Sequence, residues 1–394
     1  MTKYFFVTSS FPYGIGESFL FNEYDFMSQK FDVTLIPIHQ KVGVHKNRRP
    51  NSKLYVFPNK AKLIFIFIFI SFFKPHLFLH CYNRNLYYFL KNISIIPKVL
   101  KFYLDYKDST ESLVFYVHWF SLSCMFVSLL KVLMPNIKIV VTGHRWDLVE
   151  NNNLDFKFEK ANVIRLISKK SLKLLDDNLV NKFKDKIIVK YMGVNVPKLH
   201  KKTKNNVDIF SGVCVANLIS IKGHVYLIEA LSQLKNKGYI FKFDFVGCGV
   251  LKSSLQNKID QLGLSDCVKF LGVVSNEKLL ELYKSNYYDF FCLPSVDLGN
   301  GLHEGVPVSL MEAMAHLIPV ISTNTGSIPE LIIDKYNGLL VSDKSVVELV
   351  DAIENILLNK SLRITLSKNA YNYILKNFDE STICMEMASI VSKI

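Results

Sequence analysis

The sequence predicts an α/β protein built from two domains, each with a parallel sheet. Two observations support this fold class. A chain of 394 residues, 49% of them apolar, is longer than one ordinary hydrophobic core needs and is sufficient for two. Short apolar runs also alternate with amphipathic stretches along the chain, which is typical of β-α units whose strands lie parallel.

The apolar runs predict six strands in each half of the chain. Each run is short and is followed by a stretch with helical periodicity. In the first half the predicted strands are Tyr4–Thr8, Val33–Pro37, Val114–Val117, Ile137–Thr142, Val163–Ile167 and Ile187–Tyr191. In the second half they are Ile209–Val215, Phe241–Val246, Val268–Leu271, Phe290–Leu293, Val320–Ser322 and Gly338–Val341.

These strands place an N-terminal domain in residues 1–197 and a C-terminal domain in residues 207–376. Residues 198–206 are polar, basic and without periodicity, as expected of a linker. Residues 377–394 predict a closing amphipathic helix, which we expect to pack back towards the N-terminal domain.

Cysteine usage and the start of the chain predict a cytoplasmic protein. The seven cysteines are an odd number, are scattered and form no C-x-x-C pair, which favours reduced thiols. The first residues lack the long apolar core and cleavage site of a signal peptide. No metal site is predicted, because no cysteine–histidine group has ligand spacing and no D-x-D triplet occurs.

Basic residues concentrate in the first half of the chain. Residues 1–200 hold 29 lysines and arginines against 14 acidic residues, whereas the remainder holds 19 against 20. No acidic residue lies between Asp32 and Asp105. This predicts a positive face on the first domain and a partner that bears phosphates, namely an anionic membrane, a lipid diphosphate or nucleic acid. A merely solubilising surface is the alternative.

The apolar run at 63–73 is bracketed by Lys62 and Lys74. It is well short of the roughly 20 residues that a membrane-spanning helix needs. The run is therefore either a buried core element or an interfacial segment held by its flanking lysines. The sequence leaves both interpretations open.

The most informative motif places Glu304 in a loop just before a helix and Glu312 in that helix's second turn. Pro307 suits the first turn, and the free amide groups at a helix start favour an anion. A carboxylate in the second turn is positioned to accept hydrogen bonds from a pair of vicinal hydroxyls. Two glutamates at this spacing and alone would be read as ordinary solvated carboxylates, but their flanking residues argue otherwise.

The stretch from Glu304 to Glu330 resembles the E-x7-E signature of retaining glycosyltransferases of family 4, which have the GT-B fold. The resemblance covers nearly all of residues 209–342 and includes Lys222-Gly-His, Phe245-Val-Gly and Asn337-Gly-Leu-Leu. It implies two Rossmann-like domains that face an interdomain cleft.

The resemblance also implies residue roles. Glu304 would contact hydroxyls of the donor sugar, Glu312 the ribose and Lys222 the diphosphate. The catalytic residues implied are Glu304, Lys222, His118 and His144. The donor-binding residues implied are Glu312, Gly305, Val306, Pro307, Asn217, Gly14, Gly16, Thr325 and Gly326.

Asn217 departs from the family pattern, because the family usually has an arginine in this turn. A second cation for the diphosphate is missing at that position. Either Lys222 works alone, or a residue of the first domain such as Arg145 reaches across when the domains close.

The first half resembles the family less. The loop with Gly14, Gly16 and Glu17 is similar to the opening loop of polysaccharide-assembly members, and its glycines let the backbone approach a ligand. His118 and His144 follow strands, where such folds bind ligands. Each taken singly would more often be a structural histidine.

On the acceptor side we place Glu17, Arg145 and Asp147, with His144 as the preferred polar group. The resemblance implies transfer of a sugar, with retention, from a UDP- or GDP-linked donor. The departing phosphate oxygen would take the acceptor proton, so no enzyme base is required. No cofactor is expected, and no metal is expected because the sequence has no D-x-D triplet.

The acceptor is expected to be a lipid-linked saccharide or an oligosaccharide of a surface polysaccharide, such as capsule or lipopolysaccharide. The protein would then lie peripherally on the inner face of the cytoplasmic membrane, an anionic surface, and nucleic acid is not expected as a partner. Two alternatives remain, a GT-B sugar-nucleotide epimerase and a non-catalytic protein that binds membrane surfaces or nucleic acid.

Overall fold

The computed structural model describes residues 2–13, 17–40, 53–59, 61–63, 74–82, 85–149, 153–198 and 209–394. Gly14, Gly16 and residues 64–73 of the apolar run lie outside the described residues. So does most of the predicted linker, at 199–206.

The chain divides into two compact units. Unit 1 consists of Met1–Tyr191 together with Ser381–Ile394, and unit 2 consists of Met192–Glu380. The last helix, Glu380–Lys393, therefore falls almost entirely in unit 1.

Unit 1 contains a parallel sheet of seven described strands in the order β3-β2-β1-β4-β5-β6-β7. Its central strands are almost entirely buried, as expected for parallel strands that are covered on both faces. The strands are β1 Thr2–Thr8, β2 Val33–Pro37, β3 Lys53–Leu54, β4 Ser112–His118, β5 Lys138–Gly143, β6 Val163–Leu166 and β7 Ile187–Val189.

The helices of unit 1 cover this sheet. The most apolar of them, at Leu122–Leu133, is buried along most of its length, which its sequence of leucine, phenylalanine and valine explains. In chain order the helices are α1 Phe21–Lys30, α2 His76–Cys81, α3 Leu86–Ile93, α4 Ile96–Tyr106, α5 Leu122–Leu133, α6 Arg145–Val149, α7 Leu154–Lys160 and α8 Asp177–Phe183.

Unit 2 contains a parallel sheet of six strands in the order β10-β9-β8-β11-β12-β13. Phenylalanines of β9 and β11 fill its centre, and Phe243 and Phe290 lie so close to Gly212 that a larger residue there would overlap them. The strands are β8 Phe210–Val215, β9 Phe241–Val246, β10 Val268–Gly272, β11 Phe290–Leu293, β12 Val320–Thr323 and β13 Leu339–Val341.

Side-chain caps fix several helix starts in unit 2. Ser275, Ser345 and Asn359 each accept a hydrogen bond from a backbone amide in the first turn of the helix that follows. The helices are α9 His224–Asn236, α10 Lys252–Gln261, α11 Asn276–Lys284, α12 Val308–Ala315, α13 Val346–Leu358 and α14 Lys360–Asn377, and α15 Glu380–Lys393 closes the chain.

The predicted fold class, α/β with two parallel-sheet domains, is confirmed. The strand at Lys53–Leu54 was not predicted, because two residues carry no periodicity. Both sheets reverse their strand order at one place, between β1 and β4 in unit 1 and between β8 and β11 in unit 2. Ligands of open α/β sheets bind beyond the carboxyl ends of the strands at such a reversal, so a ligand site is expected at these two edges.

Within the described ranges, no helix is both long enough and apolar enough to cross a bilayer. Over the same residues, no three His, Cys, Asp or Glu side chains gather in a way that could hold a metal ion.

Candidate functional site

In unit 2, the loops that follow the neighbouring strands β8 and β11 are locked together. Gly223 has a φ of 64°, and a Cβ atom there would lie 1.9 Å from the carbonyl oxygen of Pro294. The backbone N–H of Val296 donates to the carbonyl of Ile221 at 2.9 Å. This close approach, which only glycine permits, holds Lys222 beside the loop after β11.

Among the described residues, the carboxylate of Glu304 accepts from three donors. Lys222 Nζ forms an ion pair with Glu304 Oε2, and Ser295 Oγ donates to the same oxygen at 3.0 Å. The N–H of Gly305 donates to Oε1 at 3.2 Å. Burial alone would raise the pKa of Glu304, but the charge of Lys222 and these hydrogen bonds outweigh it, and the pKa is lowered. Glu304 is therefore a charged and oriented carboxylate.

The backbone of Glu304 is held from a second direction by Gly326. Gly326 has a φ of 57°, and a Cβ atom there would lie 2.0 Å from the carbonyl oxygen of Glu304. That oxygen also accepts the N–H of Ser327 at 3.1 Å and Nδ1–H of His303 at 2.9 Å. The position of Glu304 is thus fixed through both its side chain and its main chain.

Glu312 lies in the second turn of α12, which begins at Val308 directly after Pro307. Asn276 Nδ2 donates to Glu312 Oε1 at 3.0 Å. Burial raises the pKa of Glu312 above its ordinary value, and the hydrogen bond from Asn276 offsets this only in part. A half-buried carboxylate whose described partner is a neutral amide keeps lone pairs for ligand hydroxyls.

Three further residues were predicted on the donor side. Thr325 is buried, and its Oγ1 has no hydrogen-bond partner among the described residues. Val306 is half-buried. Asn217 is exposed, and its carbonyl accepts the N–H of Ile219 at 2.9 Å within the turn after β8.

The structure brings one group of predicted residues into direct contact through the interactions above. The members of this group are Lys222, Glu304, Gly305 and Gly326.

In unit 1, Glu17 organises the loop that follows β1. Its carboxylate accepts the N–H of Ser10 at 2.5 Å, the N–H of Phe11 at 2.6 Å and Nε1–H of Trp119 at 2.5 Å. Charge-assisted hydrogen bonds of this kind are the stronger ones in proteins. Glu17, which the sequence placed on the acceptor side, therefore ties the loop after β1 to the loop after β4.

The two predicted histidines meet in unit 1. His118 ends β4 and His144 follows the adjacent strand β5, and Nδ1 of His118 lies 3.3 Å from Nε2 of His144. The ring of His144 stacks on Trp119 with the ring centroids 4.1 Å apart. Burial, with the nearby charge of Arg165, lowers the pKa of both imidazoles well below the ordinary histidine value. The two rings therefore form a neutral pair at pH 7.

A buried charged cluster beside His118 was not predicted. Arg165 Nη1 lies 2.6 Å from Glu23 Oε1, and Tyr116 donates its hydroxyl to the same oxygen at 2.5 Å. Nε2 of His118 lies 3.5 Å from Glu23 Oε2. Arginine is almost never fully buried without a partner, so Arg165 inside the apolar strand Val163–Leu166 was the signal that sequence reasoning missed.

Asp147 is fixed on the main chain of Phe120. Its Oδ2 accepts the N–H of Phe120, while Lys157 Nζ donates to the carbonyl of the same residue at 2.5 Å. Burial raises the pKa of Asp147 to about 7, although the hydrogen bond from Phe120 and the charge of Lys157 act against this. Arg145, like Asp147, is buried within unit 1.

Comparison with known proteins gives a family match in unit 2, where residues 195–373 match the family described as glycosyl transferases group 1. The chain is 33% identical over 213 residues to the putative colanic acid biosynthesis glycosyltransferase WcaL of Escherichia coli (strain K12), covering 53% of this chain and 51% of that protein. It is 36% identical over 160 residues to the amylovoran biosynthesis glycosyltransferase AmsK of Erwinia amylovora, covering 40% and 39%. The chain thus spans about half or less of the length of these curated relatives.

Solved structures share the fold over the whole chain at low sequence identity, and one example holds a nucleotide. Anabaena Alr3699/HepE in complex with UDP has a TM-score of 0.70 and 17% identity, with all of both chains covered. Together with the two parallel sheets, this likeness confirms that the chain has the predicted GT-B fold class.

The contact between Gly326 and Glu304 makes a testable prediction. Gly326→Ala should lower the free energy of unfolding by about 1–3 kcal/mol, because it combines a left-handed φ with a clash against a fixed carbonyl. Gly305→Ala is the matched control, since a Cβ atom there meets nothing within 4 Å. Urea denaturation of both variants measures the difference in the free energy of unfolding. Equal losses in the two variants would contradict the close contact between Gly326 and the carbonyl of Glu304.

Proposed function

We propose that this protein is a glycosyltransferase that transfers a sugar from a nucleoside-diphosphate donor. The match of residues 195–373 to the family described as glycosyl transferases group 1 supports this proposal. The observation that carries the proposal is the Lys222–Glu304 ion pair at the strand-order reversal of unit 2. It sets a cation for phosphates beside a charged carboxylate for sugar hydroxyls. The names of WcaL and AmsK support a saccharide of a surface polysaccharide as the acceptor.

Each part of the donor has a group of matching chemistry. The diphosphate would lie against Lys222 and against the free backbone amides at the start of α12, where the helix dipole favours an anion. Hydroxyls of the donor sugar would donate to Glu304, and those of the ribose to Glu312. Gly305, Val306 and the hydroxyl of Thr325, which has no partner among the residues that the structure describes, would complete the contacts.

UDP is the first nucleotide to test, since the Anabaena structure of the same fold holds UDP. Calorimetry with UDP, GDP, ADP and CMP should detect one nucleoside diphosphate that binds. Glu312→Ala should weaken that binding at least tenfold, about 1.4 kcal/mol, because a ribose hydroxyl loses its acceptor.

Glu281→Ala is the matched control, because Glu281 lies exposed on α11 and is paired only with Lys278 among the described residues. It should bind the nucleotide as the unaltered protein does. If none of the four nucleotides binds, or if both variants weaken binding equally, the proposed donor site is wrong.

The proposed reaction proceeds with retention of anomeric configuration and without a metal. Lys222 and the α12 amides would stabilise the charge that develops on the departing diphosphate, which is the electrostatic contribution expected to dominate. An oxygen of that diphosphate would take the proton of the acceptor hydroxyl. His144 would hold the acceptor hydroxyl, and His118 would support His144.

This mechanism predicts that the reaction needs no metal and that the product keeps the anomeric configuration of the donor sugar. Transfer from a radiolabelled donor should continue in excess EDTA, and NMR of the product should show the anomeric configuration of the donor sugar. Loss of transfer in EDTA that returns with Mg²⁺ would contradict metal independence. Consumption of the sugar nucleotide without any acceptor would indicate an epimerase instead.

We place the protein on the inner face of the cytoplasmic membrane, where a lipid-linked acceptor would be presented. This placement is supported by a strongly exposed apolar surface of unit 1. This α2–α3 surface consists of Leu79, Tyr82, Leu86, Tyr87 and Leu90, which are 77%, 66%, 67%, 64% and 57% exposed.

Two features favour an anionic lipid surface as the partner. Leu86, Tyr87 and Leu90 share one face of α3, and exposed apolar patches with tyrosines are typical of a membrane interface. Lys91 lies beside them, with its Nζ 5.5 Å from the ring centroid of Tyr87, and no acidic residue occurs between Asp32 and Asp105. A lysine beside aromatic rings that would enter the membrane interface is well placed to contact lipid phosphates.

Sedimentation with anionic vesicles tests this surface. The unaltered protein should sediment at low salt, and Leu86→Ser combined with Leu90→Ser should reduce binding more than tenfold, since each leucine side chain contributes about 1.5–3 kcal/mol on burial. Val250→Ser in unit 2, where Val250 is 88% exposed, is the matched control and should bind normally. No sedimentation of the unaltered protein would refute membrane docking while leaving the donor site untouched.

A further inference from the structure

A chain of polar contacts runs from a buried carboxylate to the histidine predicted at the acceptor side. Oε2 of Glu23 lies 3.5 Å from Nε2 of His118, and Nδ1 of His118 lies 3.3 Å from Nε2 of His144. The side chain of Glu23 is only 4% exposed and that of His118 is fully buried. These contacts therefore connect helix α1 to the ends of strands β4 and β5.

The other oxygen of Glu23 is already occupied. Its Oε1 accepts both Arg165 Nη1 and the hydroxyl of Tyr116, and Arg165 Nη1 also donates to the Tyr116 oxygen at 2.7 Å. Burial raises the pKa of Tyr116 well above its ordinary value, so Tyr116 remains a protonated donor. Oε2 is thus the oxygen left to face His118. Among the described residues neither Oε2 nor Nε2 of His118 has a hydrogen-bond partner, and the two atoms face each other as a polar contact at 3.5 Å.

Both imidazoles are neutral, so each carries one ring proton. The charged or titratable groups around His118 are Glu23, Arg165, Tyr116 and His144. Around His144 the same charged groups act, and the rings of Trp119 and Phe19 pack against it. Burial and the charge of Arg165 keep a second proton off both rings, and at His144 they outweigh the opposing charge of Glu23.

Glu23 decides where these protons sit. A carboxylate only accepts hydrogen bonds, so Nε2 of His118 must carry its proton to avoid facing Glu23 with a second lone pair. Nδ1 of His118 is then an acceptor, and the proton between the two rings belongs to Nε2 of His144. The proton count leaves a lone pair on Nδ1 of His144.

We propose that Glu23 is a positioning residue that acts through His118 to fix the tautomer of His144, with the proton on Nε2 and the lone pair on Nδ1. The ring is thereby ready to accept a hydrogen bond from a hydroxyl and cannot donate one from Nδ1. That this hydroxyl belongs to the sugar acceptor rests on the proposed function, whereas the tautomer itself does not. Which nitrogen of a histidine carries the proton is commonly set by the hydrogen bond of the other nitrogen.

NMR of the full chain labelled with ¹⁵N-histidine tests the tautomer directly, because protonated and unprotonated ring nitrogens have well-separated shifts. Signals of the two rings are assigned from His118→Gln and His144→Gln samples. We expect an unprotonated Nδ1 and a protonated Nε2 for His144 near pH 7. A protonated Nδ1 in the unaltered protein would overturn the proposal without any variant being needed.

Glu23→Gln tests the cause. The glutamine amide can donate to Nε2 of His118, so the proton order should reverse or become mixed. Tyr116→Phe is the matched control, because it removes a neighbour of Glu23 while keeping the carboxylate and its ion pair with Arg165, and the tautomer should stay as it is. An unchanged tautomer in Glu23→Gln would show that Glu23 does not set it.

Kinetics then separate this proposal from the proposed function. Glu23→Gln should lower kcat by about 10- to 100-fold, as removal of a partner that orients a functional side chain does, with KM for the donor unchanged. A reversed tautomer with unchanged kcat would overturn the role in transfer. A protein without any transfer activity but with the expected tautomer would refute the proposed function alone.

Discussion

The site of each unit depends on the reversal of strand order at the centre of its sheet. Because β8 and β11 are parallel neighbours, the loops after them leave the same edge of the sheet side by side, and the chain then continues to opposite sides of the sheet. Residues as far apart in sequence as Lys222 and Glu304 then form an ion pair without any long excursion of the chain. The same reversal between β1 and β4 brings the loop of Glu17 to Trp119.

The two units hold charge in different ways, and this difference fits different tasks. In unit 2 the side chains of Lys222 and Glu304 remain 18% and 13% exposed, so a ligand can reach both. In unit 1 the side chain of Arg165 is fully buried and that of Glu23 is 4% exposed. The desolvation cost of a buried ion pair offsets much of its attraction. Removal of one partner is nevertheless strongly destabilising, because it leaves the other charge buried and unpaired. Such a pair suits an internal framework and not a ligand contact.

Sequence reasoning recovered what periodicity and local chemistry encode. The strands Val33–Pro37, Phe241–Val246 and Phe290–Leu293 were predicted end to end, because each is a short segment in which apolar residues predominate. The resemblance supplied Lys222 and Glu304 as separate residues, but their ion pair depends on tertiary structure.

The cluster around Glu23 was missed for the same physical reason. Its members come from helix α1 and the strands β4 and β6, and no short-range pattern connects these elements. The requirement for glycine at 326 was likewise invisible in sequence. It arises from the carbonyl of Glu304, which lies in a different loop.

The neutral side chain of Asn217 limits the positive charge that unit 2 can offer to a diphosphate. With an exposed, neutral side chain at this turn, Lys222 is the cation that the described site offers, and Glu304 already neutralises it. In the proposed function, an entering diphosphate would share Lys222 with Glu304, and its remaining charge would fall to the amides at the start of α12. An interaction between unit charges 4 Å apart rises from about 1 kcal/mol in water to about 4 kcal/mol at an effective dielectric constant of 20. Exclusion of water around the bound donor would strengthen these interactions, so that one lysine and one helix start could stabilise the charge of the diphosphate without a second cation.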